Sequence, residues 1–369
     1  MGKTKDEACD FYRILITESH KIYGDHGASP QELNMTSSDL NDPELIRQGK
    51  EFVQRNFYSV MLAHLISLMW VFTFKPGREV LLRTGYSGDA ERSLPRYLST
   101  LLHIKLWYED DTLERTADGS KDLQRVRKMH ANAARQYYKS NRPQMPPLTK
   151  TQREICEAVK KATVKIDSSQ WPQTILTDDP EVPFSQFAMV ITQFCFIGFI
   201  LISPEVYGIE DKKGIDGFVH LWAIFGRFLG IEDRFNLAIH YKKTNGNVEA
   251  FKKIYKNIFL PNLKTTDDTA IIMWDALIQG FSLYMKPLNL KAAVKFMLVD
   301  GASLDVKDSL DPLMTWKDKW HYSVLSFATR WSAMWEFTRN WRNISVQQGI
   351  GEGQRRYLPK WNKGTPSGQ

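Results

Sequence analysis

Apolar residues recur at steps of three and four along almost the whole chain, and strand-like alternation with turn pairs is nearly absent. That periodicity puts the apolar side chains on single helix faces and predicts an all-α protein. Two stretches are apolar nearly all round, FYSVMLAHLISLMWVFTF (57–74) and FAMVITQFCFIGFILI (187–202). Both carry polar residues and the second is short for a bilayer span, so buried core helices are expected. Asp42 and Pro43 read as the cap and first-turn proline of the helix before 57–74. KPGREVLLRTG predicts a break, a short helix and a stop at Gly85, and a further helix, AERSLPRYLSTLLHIKLWYE, is expected to be interrupted early by Pro95.

No internal repeat or shift in composition divides the chain. The expected organisation is an N-terminal helix and polar loop (1–44), a helical domain (45–345) and a frayed tail (346–369). With 369 residues the chain can bury a large core. Its net charge of +7 is interspersed with nearly as many acids, unlike the concentrated basic face of a nucleic-acid protein. Cys9, Cys156 and Cys195 have no paired spacing, which speaks against a disulfide framework or cysteine metal site. With no apolar signal core at the N-terminus, the expected compartment is intracellular, cytoplasmic or on a membrane surface.

Nucleotide-binding loops, a nucleophile elbow, an HExxH zinc motif and a di-iron ExxH pair are all missing from the sequence. Eight histidines remain, most of them in settings that suit a hydrogen-bonded core or surface imidazole. His130, in QRVRKMHANAARQYY (124–138), differs by its company. Leu123, Val126, His130, Ala133 and Tyr137 share one helix face, Arg125 and Arg127 flank the histidine, and Ala131, Ala133 and Ala134 follow it. A porphyrin asks for one axial imidazole, small residues where its ring meets the helix, and cations for its propionates. A buried core histidine explains the same residues without a cofactor.

Four blocks then resemble, in order, the latex clearing proteins, which are haem-dependent rubber oxygenases, and the related fungal oxygenase of mycophenolic acid synthesis. They are EVLLRTG (79–85), QRVRKMHANAARQYY, VPFSQFAMVITQFCFIGFILISPEVYGI and DGFVHLWAIFGRFLGIED. The resemblance covers about residues 55–240 and implies a globin-like helical core around haem b. It makes His130 the iron ligand, with Arg127 and Ala134 at the cofactor. Arg83 and Thr84 would stand on the opposite, distal side, where the rubber oxygenases have lysine and threonine. The family's further distal arginine is replaced by Val80, and His64 is the candidate for the role of its distal glutamate. Residues 143–166 look like an insertion.

The implied activity is an oxygenase that uses dioxygen to oxidise or cleave a carbon–carbon double bond of a hydrophobic, isoprenoid substrate. Two alternatives stand beside it. One is a haem or lipid carrier without turnover. The other is a cofactor-free helical protein docked on a membrane through Trp331, Trp335 and Trp341.

Overall fold

In the computed structural model the described residues are 2–28, 39–85, 87–172, 175–177, 180–210, 212–282, 288–330 and 335–364. Helices carry the chain, and among the described residues the only extended pairing is an isolated bridge between Tyr23 and Ser185. The protein is all-α. Its helices are α1 (Gly2–Thr17), α2 (Pro43–Arg55), α3 (Phe57–Thr73), α4 (Lys75–Arg83), α5 (Ala90–Glu109), α6 (Asp118–Gln136), α7 (Lys150–Thr163) and α8 (Gln186–Ile202). They continue with α9 (Ile215–Leu229), α10 (Leu237–Lys243), α11 (Glu249–Ile254), α12 (Leu260–Lys264), α13 (Asp268–Phe281), α14 (Leu290–Lys295), α15 (Trp316–Arg330) and α16 (Glu336–Gly364). Wider π-turns follow α11 at Tyr255–Phe259 and α14 at Phe296–Gly301.

The helix starts follow their capping residues. Asp42 Oδ1 accepts from the backbone N–H of Glu44 (3.1 Å) and Leu45 (3.0 Å), with Pro43 in the first turn of α2. Asp89 caps α5 in the same way, and Thr149 with Gln152 forms a reciprocal capping box on α7. Pro95 does not break α5, contrary to its sequence reading. It removes one bond to the carbonyl of Glu91, an exposed residue in the first turn, where water can replace the lost donor. The frayed tail is also corrected: α16 runs to Gly364, and only 365–369 of that tail lie outside the described residues.

α3, α8, α9 and α13 form the middle of one hydrophobic cluster that extends from Ala8 to Ile350. α3 and α8 are core helices, as their composition suggested, and among the described residues no single helix is long and apolar enough to cross a membrane. α2 and α3 meet at a bend of 84°. Asn343 of α16 holds that corner: its Oδ1 accepts from Tyr58 N–H (2.9 Å), and its Nδ2 donates to the carbonyls of Gln54 (3.2 Å) and Arg55 (2.9 Å). Of the 143–166 stretch, α7 is built into the core. Ile155 and Val159 of α7 are fully buried, and Gln152 Nε2 donates to Asp275 Oδ2 of α13 (2.7 Å).

α2 and α9 cross in close backbone contact. A Cβ on Gly49 would lie 2.4 Å from the carbonyl oxygen of Gly217, and a Cβ on Gly217 would lie 2.4 Å from the Gly49 nitrogen. Backbone blocks backbone there, so neither neighbour can turn aside. Gly217→Ala is expected to cost about 2–3 kcal/mol, read as an earlier thermal melt. Gly351→Ala, inside α16 with nothing within 4 Å of the new methyl, is expected to stabilise by about 0.5–1 kcal/mol.

Candidate functional site around His130

α6 turns Leu123, Val126, Ala134 and the following Tyr137 into the core, with His130 on the same side. Ala134 rather than Ala133 is the buried alanine of that face. His130 keeps a partly exposed edge, but its Nδ1 is buried and has no hydrogen-bond partner. The ring of Phe184 lies against it, with centroids 4.5 Å apart and planes tilted by 36°. Burial pushes the His130 imidazole down from 6.5 to about 4, and Arg96 and His103 add in the same direction. The ring is therefore neutral at neutral pH and keeps a lone pair for a ligand or a proton.

Phe184 takes this place at a backbone angle that bulky residues rarely adopt, φ 58°. Its carbonyl accepts from Gly24 N–H (2.9 Å), where a side chain would collide with that same oxygen. Gln186 completes the tie. Its Nε2 donates to the carbonyls of Gly24 (2.9 Å) and Gly230 (2.8 Å), and its Oε1 accepts from Glu232 N–H (3.0 Å).

The other predicted site residues have their own partners. Arg127 donates to the carbonyls of Asp25 (2.6 Å), Gly27 (2.5 Å) and Ala28 (2.9 Å), so it clamps the loop after α1. Arg83 donates to the carbonyls of Ser140 (2.7 Å) and Tyr137 (3.3 Å), and its guanidinium lies 4.3 Å above the Tyr137 ring. It fastens the end of α6 and does not pair with Glu79, which pairs with Arg142 (2.9 Å). Thr84 donates to the Leu81 carbonyl (2.7 Å) and accepts a short bond from Arg96, which connects it to the charge beside His130.

His64 belongs to a different cluster. Its Nε2 is 3.1 Å from the Tyr108 hydroxyl, which also accepts from Trp222 Nε1 (2.8 Å), and Phe196 packs edge-on at 4.9 Å. Burial pushes His64 down to about 3, and its Nδ1 also lacks a partner. His220 is a satisfied core histidine between the Leu40 carbonyl (2.9 Å) and Lys242 Nζ (2.8 Å).

Three residues that sequence reasoning passed over sit on one face of α5. Arg96, His103 and Trp107 follow steps of seven and four, and all face α6. His103 Nδ1 lies 2.8 Å from Asp122 Oδ2, which also accepts from Trp107 Nε1 (2.7 Å). Burial alone would raise the Asp122 carboxyl. The bond and charge of His103, the Trp107 bond and Arg125 outweigh it and hold Asp122 below its ordinary value. The signal was a polar stripe on α5, diluted by the leucines around it.

Among the described residues no three His, Cys, Asp or Glu side chains gather as a metal site. An iron held by a porphyrin asks for only one imidazole. Against that requirement His130 and Ala134 fit, with a neutral, orphaned nitrogen and a small buried neighbour. Arg127 is committed to the loop after α1, and Arg96 is the cation whose charge reaches His130. No family model, curated protein or solved structure matches the chain.

A histidine held below its ordinary value binds its proton more readily in the unfolded chain. Its stabilising contribution is full above 6.5 and declines as the pH falls from there towards 4. His220 and His240, both pushed down to about 4 by burial, act in the same window. Urea-unfolding stability is expected to fall between about pH 6.5 and 4. His130→Gln should lessen that slope by about 1.4 kcal/mol per pH unit.

Proposed function

We propose that the chain is a b-type haem protein with His130 as the iron ligand. It would act as an oxygenase that uses dioxygen to oxidise or cleave a double bond of an apolar, isoprenoid-type substrate. The observation that carries this reading is the buried, unpartnered and neutral nitrogen of His130. It lies on the helix whose sequence resembles that of the haem-dependent rubber oxygenases. When bound, the haem supplies redox-active iron for dioxygen chemistry.

The chain's own residues would support that group in distinct ways. His130 stays unprotonated at neutral pH, so its lone pair is available. Phe184 holds the imidazole plane and keeps water from one side of it. Arg96, fixed by the Thr84 hydroxyl and the Leu81 carbonyl (3.2 Å), offers a cation to an acidic group near His130. Ala134 is the small buried residue of that face of α6. Arg83 keeps the end of α6 in place through the Tyr137 and Ser140 carbonyls, which makes it a positioning residue.

A carrier without turnover is the second reading. It is favoured by Arg83 and Arg127, both committed to backbone carbonyls. Product analysis after incubating reduced protein with oxygen and an isoprenoid separates the two.

The purified protein is expected to show a Soret band and about one b-type haem per chain, and His130→Ala should lose both. Full occupancy in His130→Ala would remove His130 as the ligand, and no Soret band after reconstitution with haemin would sink the reading. Arg83→Leu should lower the melting temperature and leave haem content intact. A roughly hundredfold loss of turnover at unchanged stability would instead make Arg83 a donor to developing negative charge.

A further inference from the structure

Large apolar side chains left in water are concentrated at one place. Of the eleven exposed among the described residues, seven lie between Trp316 and Ile344. On α15 they are Trp316, Trp320 and Phe327, and on α16 Phe337, Trp341 and Ile344. Each set follows helical steps of three, four or seven, so each helix turns an apolar stripe outward. Trp316 is 81% exposed and Phe337 82%. The core does not lack helices to cover them, because the inner faces of α15 and α16 are already used. Leu325 and Thr329 are buried, Asn343 holds the α2–α3 corner, and Arg342 lies 4.6 Å above the Tyr58 ring.

The same stretch carries most of the net charge of the protein. Residues 316–364 hold nine basic and three acidic residues, which is six of the seven net positive charges of the chain. They also hold six of its eleven tryptophans. Tryptophan among lysine and arginine is the composition of a surface that sits at lipid headgroups, whereas protein interfaces are depleted in lysine. Beneath these helices lies an apolar cavity of about 250 Å³, lined by Leu325 and Ile350 together with Met61, Leu65, Leu101 and Phe281. Trp341 lines this cavity while 63% of it faces solvent, so the cavity reaches the same face.

We propose that the outer face of α15 and α16 docks on the surface of an anionic lipid bilayer. The tryptophans and Phe337 sit at headgroup depth, and Lys317, Lys319, Arg355 and Arg356, all exposed, meet the lipid phosphates and carboxylates. The cavity behind Trp341 then opens towards the acyl region, where an apolar chain can enter it. The inference goes beyond the haem reading and does not depend on it.

The test is flotation of the full chain with two kinds of vesicle, phosphatidylcholine alone and phosphatidylcholine with phosphatidylserine. Tryptophan emission is recorded alongside. Binding is expected to the anionic vesicles only, with a blue shift of emission and weakening in high salt. Lys317→Glu with Lys319→Glu should lower the affinity more than tenfold, since each cation near such a surface contributes roughly fivefold. Trp316→Ser with Trp320→Ser and Phe337→Ser should lower it comparably at an unchanged melting temperature, because all three side chains are exposed. Either no binding to anionic vesicles, or variants that bind like the wild type, would overturn the proposal. So would a concentration-dependent dimer that the aromatic variant dissolves without changing vesicle binding, because a second copy would then be what covers the face.

Discussion

The position of α9 governs most of what surrounds it. From Gly217 to Leu229 every residue of this helix is buried, and its first turn touches α2 backbone to backbone at Gly49. A helix with no solvent face cannot rotate or slide without disturbing every neighbour. Trp222 reaches from it to the Tyr108 hydroxyl and so to His64. Gly226 leaves space for the Asn236 and Gln193 amides, which bond to each other (2.9 Å) and tie α8, α9 and α10 together. At its end Gly230, at φ 97°, lets the loop after α1 approach, where Arg127 clamps it. The surroundings of His130 are thus set in part by a helix packed against α6.

Two of these arrangements look alike in sequence and differ in physics. Arg83 and Arg127 are both cations near a histidine helix, which is what a propionate clamp requires. Each instead satisfies backbone carbonyls left over where a helix or loop ends, a demand that folding creates without any ligand. Arg96 and His103 have less conspicuous sequence settings, yet their charges act on His130. Proximity across α5 and α6, rather than spacing along the chain, selects them.

The legible parts of the fold were those where local chemistry and packing agree. The apolar runs of α3 and α8, the caps at Asp42 and the stop at Gly85 follow from side-chain chemistry within a few residues. His130 was legible because an imidazole among alanines on a core-facing stripe is unusual. Phe184 was not, because nothing in its neighbours announces a left-handed backbone. That conformation is imposed by the bonds that Gly24 and Gln186 make around it. Pro95 misled because a proline signal is read locally, while its cost depends on whether the lost bond faces water. The extent of α16 was hidden for the opposite reason: beyond Val346 its sequence is polar and glycine-bearing, and Asn343 and Arg342 anchor the helix through contacts far away in the chain.

The corner between α2 and α3 also has a consequence in time. Its amide partner, Asn343, lies 285 residues further on from Tyr58. During synthesis α3 leaves the ribosome on the order of half a minute before the residue that completes its corner. Throughout that interval one of the most apolar helices of the protein has its bent start open to water and its outer neighbour unmade. The nascent chain is therefore exposed to aggregation and to chaperones while those 285 residues are added. The last long helix closes the fold at the place where the first core helix begins.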